Sequence, residues 1–202
     1  LESVSDKWVL SIIRHSYRIQ FLHGPPGFCF RNTVLPGDPV KREALLQGVQ
    51  DLMAKGVVVK APPGQENMGF YSTLFLVQKP DGSFRPILDL KTFNSFLLVE
   101  RFRMISLQGI IPLVSQNDFL ATLDLKDAYF HIPIHTDSQL YLRFSVAGEC
   151  FQFQALPFCL ATAPRIFSKV LAPVFACLHL KGISVFPYLD DWLLCASSFS
   201  KA

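Results

Sequence analysis

The stretch Ile183-Ser184-Val185-Phe186-Pro187-Tyr188-Leu189-Asp190-Asp191-Trp192-Leu193-Leu194 sets two adjacent carboxylates between apolar runs. Neighbouring carboxylates raise each other's pKa, and removing them from water is costly unless a cation or a set of donors compensates. A β-hairpin resolves the pattern, because residues 183–186 and 192–195 read as short buried strands that push Asp190 and Asp191 to the connecting turn. A divalent metal is one reading of the charge gathered there. The other is a solvated turn, since Asp is common in turns for backbone reasons alone.

A third carboxylate comes from Phe119-Leu120-Ala121-Thr122-Leu123-Asp124-Leu125-Lys126-Asp127-Ala128-Tyr129-Phe130. This segment begins as a strand and ends it at Asp124, whose side chain can project from the sheet end. Residues 126–130 can turn into a short helix whose backbone N–H groups favour phosphate. The competing role for Asp127 is to cap that turn. His131 and His135 have the i, i+4 spacing of a zinc pair, but Pro133 between them argues against the helix that such a pair needs.

Upstream, residues 74–77 and 85–89 are β-like runs joined by Pro80-Asp81-Gly82-Ser83, a turn sequence, so a hairpin is expected. Lys79 and Arg85 stand on its rim. An Arg fork and a Lys point charge suit a triphosphate; solvated charge flanking a turn is the plainer reading.

Elsewhere, Asp38-Pro39 reads as an N-cap with Pro at the first helical position. Ala44, Leu45, Val49, Leu52 and Met53 give an apolar face that ends at Gly56. Residues 57–59 read as a strand, and residues 93–98 as a packing segment. Residues 1–36, with Pro25-Pro26-Gly27, read as an irregular extended segment. Residues 151–158 alternate like a strand. Ala163-Pro164 opens a helix with an apolar stripe at Ile166, Phe167, Val170, Leu171, Val174, Phe175 and Leu178, kinked at Pro173 and expected to be core.

The 202 residues are 50% hydrophobic and 17% charged, enough for a sizeable core and against disorder. Five cysteines form no CxxC pair, which fits reduced thiols and an intracellular chain, cytoplasmic or nuclear. No unbroken apolar run reaches the length of a membrane span, and Leu1-Glu2-Ser3 does not open a signal peptide. Net charge is +3, divided as +4 over residues 1–105 and −1 over residues 106–202, so the front half suits phosphates and the back half metal.

Taken in order, these motifs resemble the reverse transcriptases. Asp124 at a strand end, Asp127-Ala128-Tyr129, Leu156-Pro157-Phe158 before Ala163-Pro164, and Tyr188-Leu189-Asp190-Asp191 are similar to successive palm motifs. Lys79-Pro80-Asp81-Gly82-Ser83-Phe84-Arg85 and Asp89-Leu90-Lys91-Thr92-Phe93-Asn94 are similar to the fingers motifs. Gly69-Phe70-Tyr71-Ser72, residues 124–134 and residues 188–194 look most like the DIRS-type retrotransposons, whose polyprotein also carries an RNase H region.

The resemblance implies an α+β fold with the fingers and palm of a right-hand polymerase and an antiparallel palm sheet with packed helices. It places an N-terminal extension at 1–36, mainly fingers at 37–118 and mainly palm at 119–202. It implies joining of a primer 3′-hydroxyl to a dNTP with two Mg²⁺ ions, or Mn²⁺ in their place, held by Asp124, Asp190 and Asp191. Lys79 and Arg85 would hold the β- and γ-phosphates, and Asp127 and Ala128 would offer backbone amides. Tyr129 would exclude a ribose 2′-hydroxyl, and Phe158 would complete the nucleotide-binding set. The implied partners are an RNA or DNA template with primer and dNTPs, with no membrane.

Two departures bear on activity. The family usually has Gly where Cys159 stands, which a special backbone angle or a close approach would require. Pro187 removes an N–H from a strand. The chain ends 11 residues after Asp191, so an absent thumb and a metal-binding fragment without processive extension are expected. The alternative is a degenerate, inactive fragment that only binds nucleic acid or assembles. A third class, an unrelated Mg²⁺-dependent phosphatase or nuclease, leaves Tyr129 and the residue 79–85 hairpin unexplained.

Overall fold

The computed structural model describes residues 6–197. The opening Leu1-Glu2-Ser3 lies outside the described residues. The elements in chain order are α1 (Lys7–His15), β1 (Asn32–Thr33), α2 (Pro39–Ala54), β2 (Val58–Lys60), β3 (Leu74–Gln78), β4 (Phe84–Leu88), α3 (Lys91–Asn94) and α4 (Leu107–Ile110). There follow β5 (Phe119–Asp124), α5 (Thr136–Gln139), β6 (Arg143–Val146), β7 (Glu149–Phe153), α6 (Ala163–Leu180), β8 (Ile183–Tyr188) and β9 (Asp191–Ala196). Two compact units interleave along the sequence. One comprises the chain up to Arg14, Glu100–Ala128 and everything from Pro164 on; the other comprises His15–Val99 and Tyr129–Ala163.

The first unit is built on a three-stranded antiparallel sheet of order β5-β9-β8. Ile110, Phe186 and Cys195 form a buried cluster, with Ile105, Val114 and Leu193 packed against it. Trp192, two residues before Leu194 and so on the opposite face from Leu193, meets Phe175 of α6 edge-on at 4.9 Å between ring centroids. Pro187 costs this sheet little. Successive antiparallel pairs alternate between hydrogen-bonded and non-bonded, and Tyr188 opposite Asp191 closes the turn. Pro187 opposite Trp192 therefore takes the non-bonded place on the edge strand β8, where its missing N–H faces away from β9.

Residues 7–15 correct the expected extended segment. Asp6 caps a helix there, accepting from the Trp8 amide at 2.8 Å and the Val9 amide at 3.3 Å, and Val9 and Ile12 are buried. The Trp8 amide is the main influence holding the Asp6 carboxyl below its usual range. Lys169 of α6 lies 4.3 Å from the Trp8 ring centroid and 3.7 Å from Asp6, so α1 docks on α6 through a cation–π contact and an ion pair. The α6 stripe is only partly core. Ile166 and Phe167 are buried, but Val174 is 46% exposed. α6 is also long and apolar enough, by length and composition, to cross a membrane, a measure that core helices of soluble proteins also pass.

In the second unit a four-stranded sheet of order β1-β6-β7-β2 stands beside the β3–β4 hairpin. Phe144 stacks on Phe151 at 5.2 Å with an 18° interplanar angle. The expected helix is α2, with the Asp38 side chain accepting from the Val40 amide at 2.9 Å. Of the segment expected to pack, Phe93 and Leu97 are buried, while Phe96 and Leu98 are 36% and 39% exposed. Arg143 is 1% exposed and has no salt-bridge partner among the described residues. Its guanidinium donates instead to the Gln65 and Met68 carbonyls and to the Gln65 and Gln152 side chains, and Gln152 donates on to Gln139. Carbonyl dipoles thus replace the missing counter-ion.

α2 crosses β4 closely at Gly48, where an added Cβ would stand 2.5 Å from the Pro86 Cδ and 2.7 Å from its Cγ. A proline ring cannot swing aside. Gly48→Ala gains helix propensity of about 1 kcal/mol, but overpacking of about 1–3 kcal/mol opposes it. We expect a lower urea midpoint for Gly48→Ala with an unchanged m-value; a raised midpoint would contradict the close approach.

Candidate active site

Backbone pairing gathers the carboxylates. β5 runs antiparallel to β9 from Phe119 opposite Ala196 to Asp124 opposite Asp191, and the β8–β9 pairing leaves Leu189-Asp190 as a two-residue turn. Directly opposed residues project from the same face, so the register sets Asp124 beside Asp191. The Leu125 amide donates to the Asp190 carbonyl at 2.9 Å, tying the turn to the end of β5. Leu189 has φ 56°, at a turn position that usually holds Gly, and this costs roughly 1–3 kcal/mol. The Trp192 indole donates to the Leu189 carbonyl at 3.0 Å and holds the strained residue in place.

Asp124 and Asp191 are exposed and Asp190 is half-buried. Like charges directly opposed across strands destabilise a sheet, and among the described residues none of the three has a salt-bridge partner. Carboxylate oxygens at an open sheet end fit a hard cation that keeps waters and takes other ligands from phosphate. They do not form a closed cage, since among the described residues no three His, Cys, Asp or Glu side chains converge to hold an ion by themselves. His135 is no zinc ligand in this arrangement. It caps α5, accepting from the Asp137 amide at 3.2 Å, and its other ring nitrogen lies 2.7 Å from Arg18.

Asp127 and Ala128 follow β5 directly. Asp127 has φ 57°, a left-handed conformation that Asp tolerates better than most residues. The buried Ala128 opens a 3₁₀ turn, Ala128–His131, in place of the expected short helix.

The remaining predicted residues lie in the second unit. Lys79 and Arg85 share one face of the β3–β4 hairpin, because Val77 pairs with Arg85 and Lys79 lies two residues beyond Val77. The Lys79 amide donates to the Ser83 carbonyl at 2.7 Å, and Asp81 accepts from the Ser83 amide and hydroxyl at 2.9 and 2.6 Å, which closes the tip. The bonds from Ser83 hold the Asp81 carboxyl below its usual range. Tyr129, 5% exposed, packs on Phe158 at 5.1 Å between centroids, and Phe130 meets the same ring at 5.0 Å.

Cys159 is exposed, and its φ is not in the left-handed region, so its backbone does not demand Gly. Although the residue as a whole is exposed, partial desolvation of its thiol outweighs the opposing Arg85 charge and pushes its pKa up, with Asp89 adding to the rise. Asn94 is a residue to which the sequence assigned no role. Its amide donates to the Cys159 carbonyl and accepts from the Ala161 amide, both at 2.9 Å, so it fixes the loop after Phe158. Its place at the end of the Asp89–Asn94 motif was the available signal.

With this geometry in place, the family profile described as reverse transcriptase (RNA-dependent DNA polymerase) matches residues 77–202, more than half of the chain. The chain belongs to the reverse transcriptase family. It is 28% identical over 174 residues to a Gag-Pro-Pol polyprotein of squirrel monkey retrovirus, a match covering 80% of this chain and 9% of the polyprotein. It is 25% identical over 162 residues to a retrovirus-related Pol polyprotein from transposon 412 of Drosophila melanogaster, covering 77% and 12%. The crystal structure of prototype foamy virus protease-reverse transcriptase shares the fold at a TM-score of 0.68 and 20% identity, over 89% of this chain and 23% of that one. The chain therefore spans only a small part of each of these polyproteins and of the foamy virus protein. The mixed helix and sheet architecture is that of a fingers and palm fragment, as expected.

The opposed carboxylates yield a direct expectation. Asp191→Asn removes one like charge, so without metal its Tm is expected to rise by about 1–2 °C, and the stabilisation expected of the parent chain on adding Mg²⁺ should be reduced in the variant. Melting curves in EDTA and in Mg²⁺ check both; equal Mg²⁺ stabilisation of parent and variant would remove Asp191 from the site.

Proposed function

We propose that this chain is the polymerase portion of a retrotransposon reverse transcriptase, an RNA-directed DNA polymerase that adds dNTPs to a primer 3′-hydroxyl on an RNA or DNA template. The observation that carries this reading is the register that sets Asp124 beside Asp191 at the tip that presents Asp190. Asp124 and Asp190 are the principal Mg²⁺ ligands, with Asp191 beside them and Mn²⁺ as a substitute. Two bound ions supply activation of the attacking oxygen and stabilisation of the leaving one.

The chain's own residues orient and select. Lys79 and Arg85, on one hairpin face, hold the β- and γ-phosphates and neutralise charge developing on them. The amides of Asp127 and Ala128 bind the triphosphate. Tyr129, held against Phe158, rejects a ribose 2′-hydroxyl by volume. We assign residues 37–118 mainly to the fingers and 119–202 mainly to the palm. The parent element is DIRS-type, with a linked RNase H region, on the strength of Gly69-Phe70-Tyr71-Ser72 and residues 124–134 and 188–194. Five free thiols agree with an intracellular setting.

Primer extension on an RNA template, by a polypeptide containing this chain, tests the reading. Asp190→Asn is expected to lower the rate at least about 100-fold, on the scale of losing one preorganised electrostatic group. Tyr129→Ala is expected to admit rNTPs that the parent rejects. Undiminished extension by Asp190→Asn, or unchanged sugar selectivity in Tyr129→Ala, would overturn the corresponding assignment.

A further inference from the structure

One side-chain amide in the second unit joins two backbone groups far away in sequence. Asn94, the last residue of α3, donates Nδ2 to the Cys159 carbonyl and accepts at Oδ1 from the Ala161 amide, across 65 and 67 residues of chain and at 2.9 Å in both cases. A carbonyl can only accept and a backbone N–H can only donate, so these partners call for an amide and fix which way it points. Neither group has a backbone partner among the described residues. α3 presents the amide from a firm base. Phe93 is fully buried and meets the rings of Phe21 and Phe70 at 6.1 and 5.3 Å between centroids, the Asn94 backbone amide donates to the Leu90 carbonyl at 2.7 Å, and Asp89 accepts from the Lys91 amide at 3.1 Å.

The loop that the amide grips carries an aromatic ring. Leu156 and Leu160 are buried and anchor it, while Cys159 and Ala161 are exposed. Between the anchors stands Phe158, half-buried, whose ring is the one that meets both Tyr129 and Phe130. Aromatic pairs prefer a limited set of offset and edge-on arrangements, so the course of the 157–161 backbone decides how Phe158 backs the Tyr129 ring. Exclusion by volume works only while the excluding ring cannot recoil, and a misplacement of about 1 Å that starts away from the reacting atoms is enough to change a rate greatly.

We propose that Asn94 is a positioning residue for sugar discrimination, holding the Cys159 and Ala161 backbone so that Phe158 keeps the Tyr129 ring in place. This inference rests on the reading of Tyr129 as the barrier to a ribose 2′-hydroxyl. Asn94 acts on that barrier through the loop and Phe158, not by contact with the nucleotide. Its two bonds are made to backbone, so they are independent of the Cys159 side chain.

The test is single-nucleotide primer extension by a polypeptide containing this chain, comparing kcat/KM for a dNTP and the matching rNTP, with thermal melting to confirm that each variant folds. Asn94→Ala is expected to lower the dNTP preference about tenfold, the scale of two neutral hydrogen bonds, chiefly by admitting the rNTP. Asn94→Asp keeps the size and the acceptor for Ala161 but loses the donor to Cys159, so it should relax the preference too, which a packing role alone would not do. In a Tyr129→Ala background Asn94→Ala should relax it no further, because residues that act through one another do not add. In the 202-residue chain, hydrogen exchange at the Ala161 amide should quicken in Asn94→Ala while the amides of β6 and β7 keep their parent rates. Parent-like selectivity in a folded Asn94→Ala, additive losses in the double variant, or parent-like exchange at Ala161 would overturn the inference and leave the Tyr129 reading standing. Unchanged selectivity in Tyr129→Ala alone would remove the barrier and this inference together, a pattern distinct from the other three.

Discussion

The pairing of β5 with β9 in one register is the constraint on which the site depends. Antiparallel strands alternate the direction of successive side chains, so only even shifts keep Asp124 and Asp191 on a common face. The apolar residues enforce the alignment. Phe186, Leu193 and Cys195 must face the cluster around Ile110, and Trp192 must face Phe175. Burial of this size, about 1.5–3 kcal/mol for each large side chain, outweighs the repulsion between two exposed carboxylates. The hydrophobic pattern thus holds in place a charge arrangement that would not assemble by itself, and Leu189 stores backbone strain at the same point.

Much of this was legible because it is local. Short apolar runs gave β3, β4, β5, β8 and β9, turn chemistry gave the hairpin at Pro80-Asp81-Gly82-Ser83, and Asp38-Pro39 gave the start of α2. The carboxylates could be picked out by their places at strand ends. What escaped was either weakly patterned or non-local. α1 carries apolar residues at helical spacing, but the Pro-Pro-Gly that follows it pointed to extended chain. Asp6 as its cap becomes evident only with the helix in view. Arg143 reads as one more strand cation until Gln65 and Met68, more than 70 residues upstream, supply its carbonyls. Gly48 is an unremarkable helix glycine until Pro86 lies against it. The exposure of Val174 shows the limit of periodicity, which marks a face as apolar without saying what covers it.

Two doubts raised by the sequence have physical answers where the backbone is concerned. Pro187 occupies an edge strand at a position that needs no ladder bond, and Cys159 sits in ordinary backbone geometry with its loop fixed by Asn94. Neither residue distorts the elements around it.

The central claim is that the carboxylates at the β5 and β8–β9 ends form a divalent-metal site. Titration of isotopically labelled chain with Mn²⁺, followed through paramagnetic broadening of backbone amide resonances, tests it most directly. The account predicts that Leu125, Asp190 and Asp191 broaden first at substoichiometric Mn²⁺ and recover when Mg²⁺ is added in excess. Broadening centred elsewhere, or none at those three amides, would contradict it.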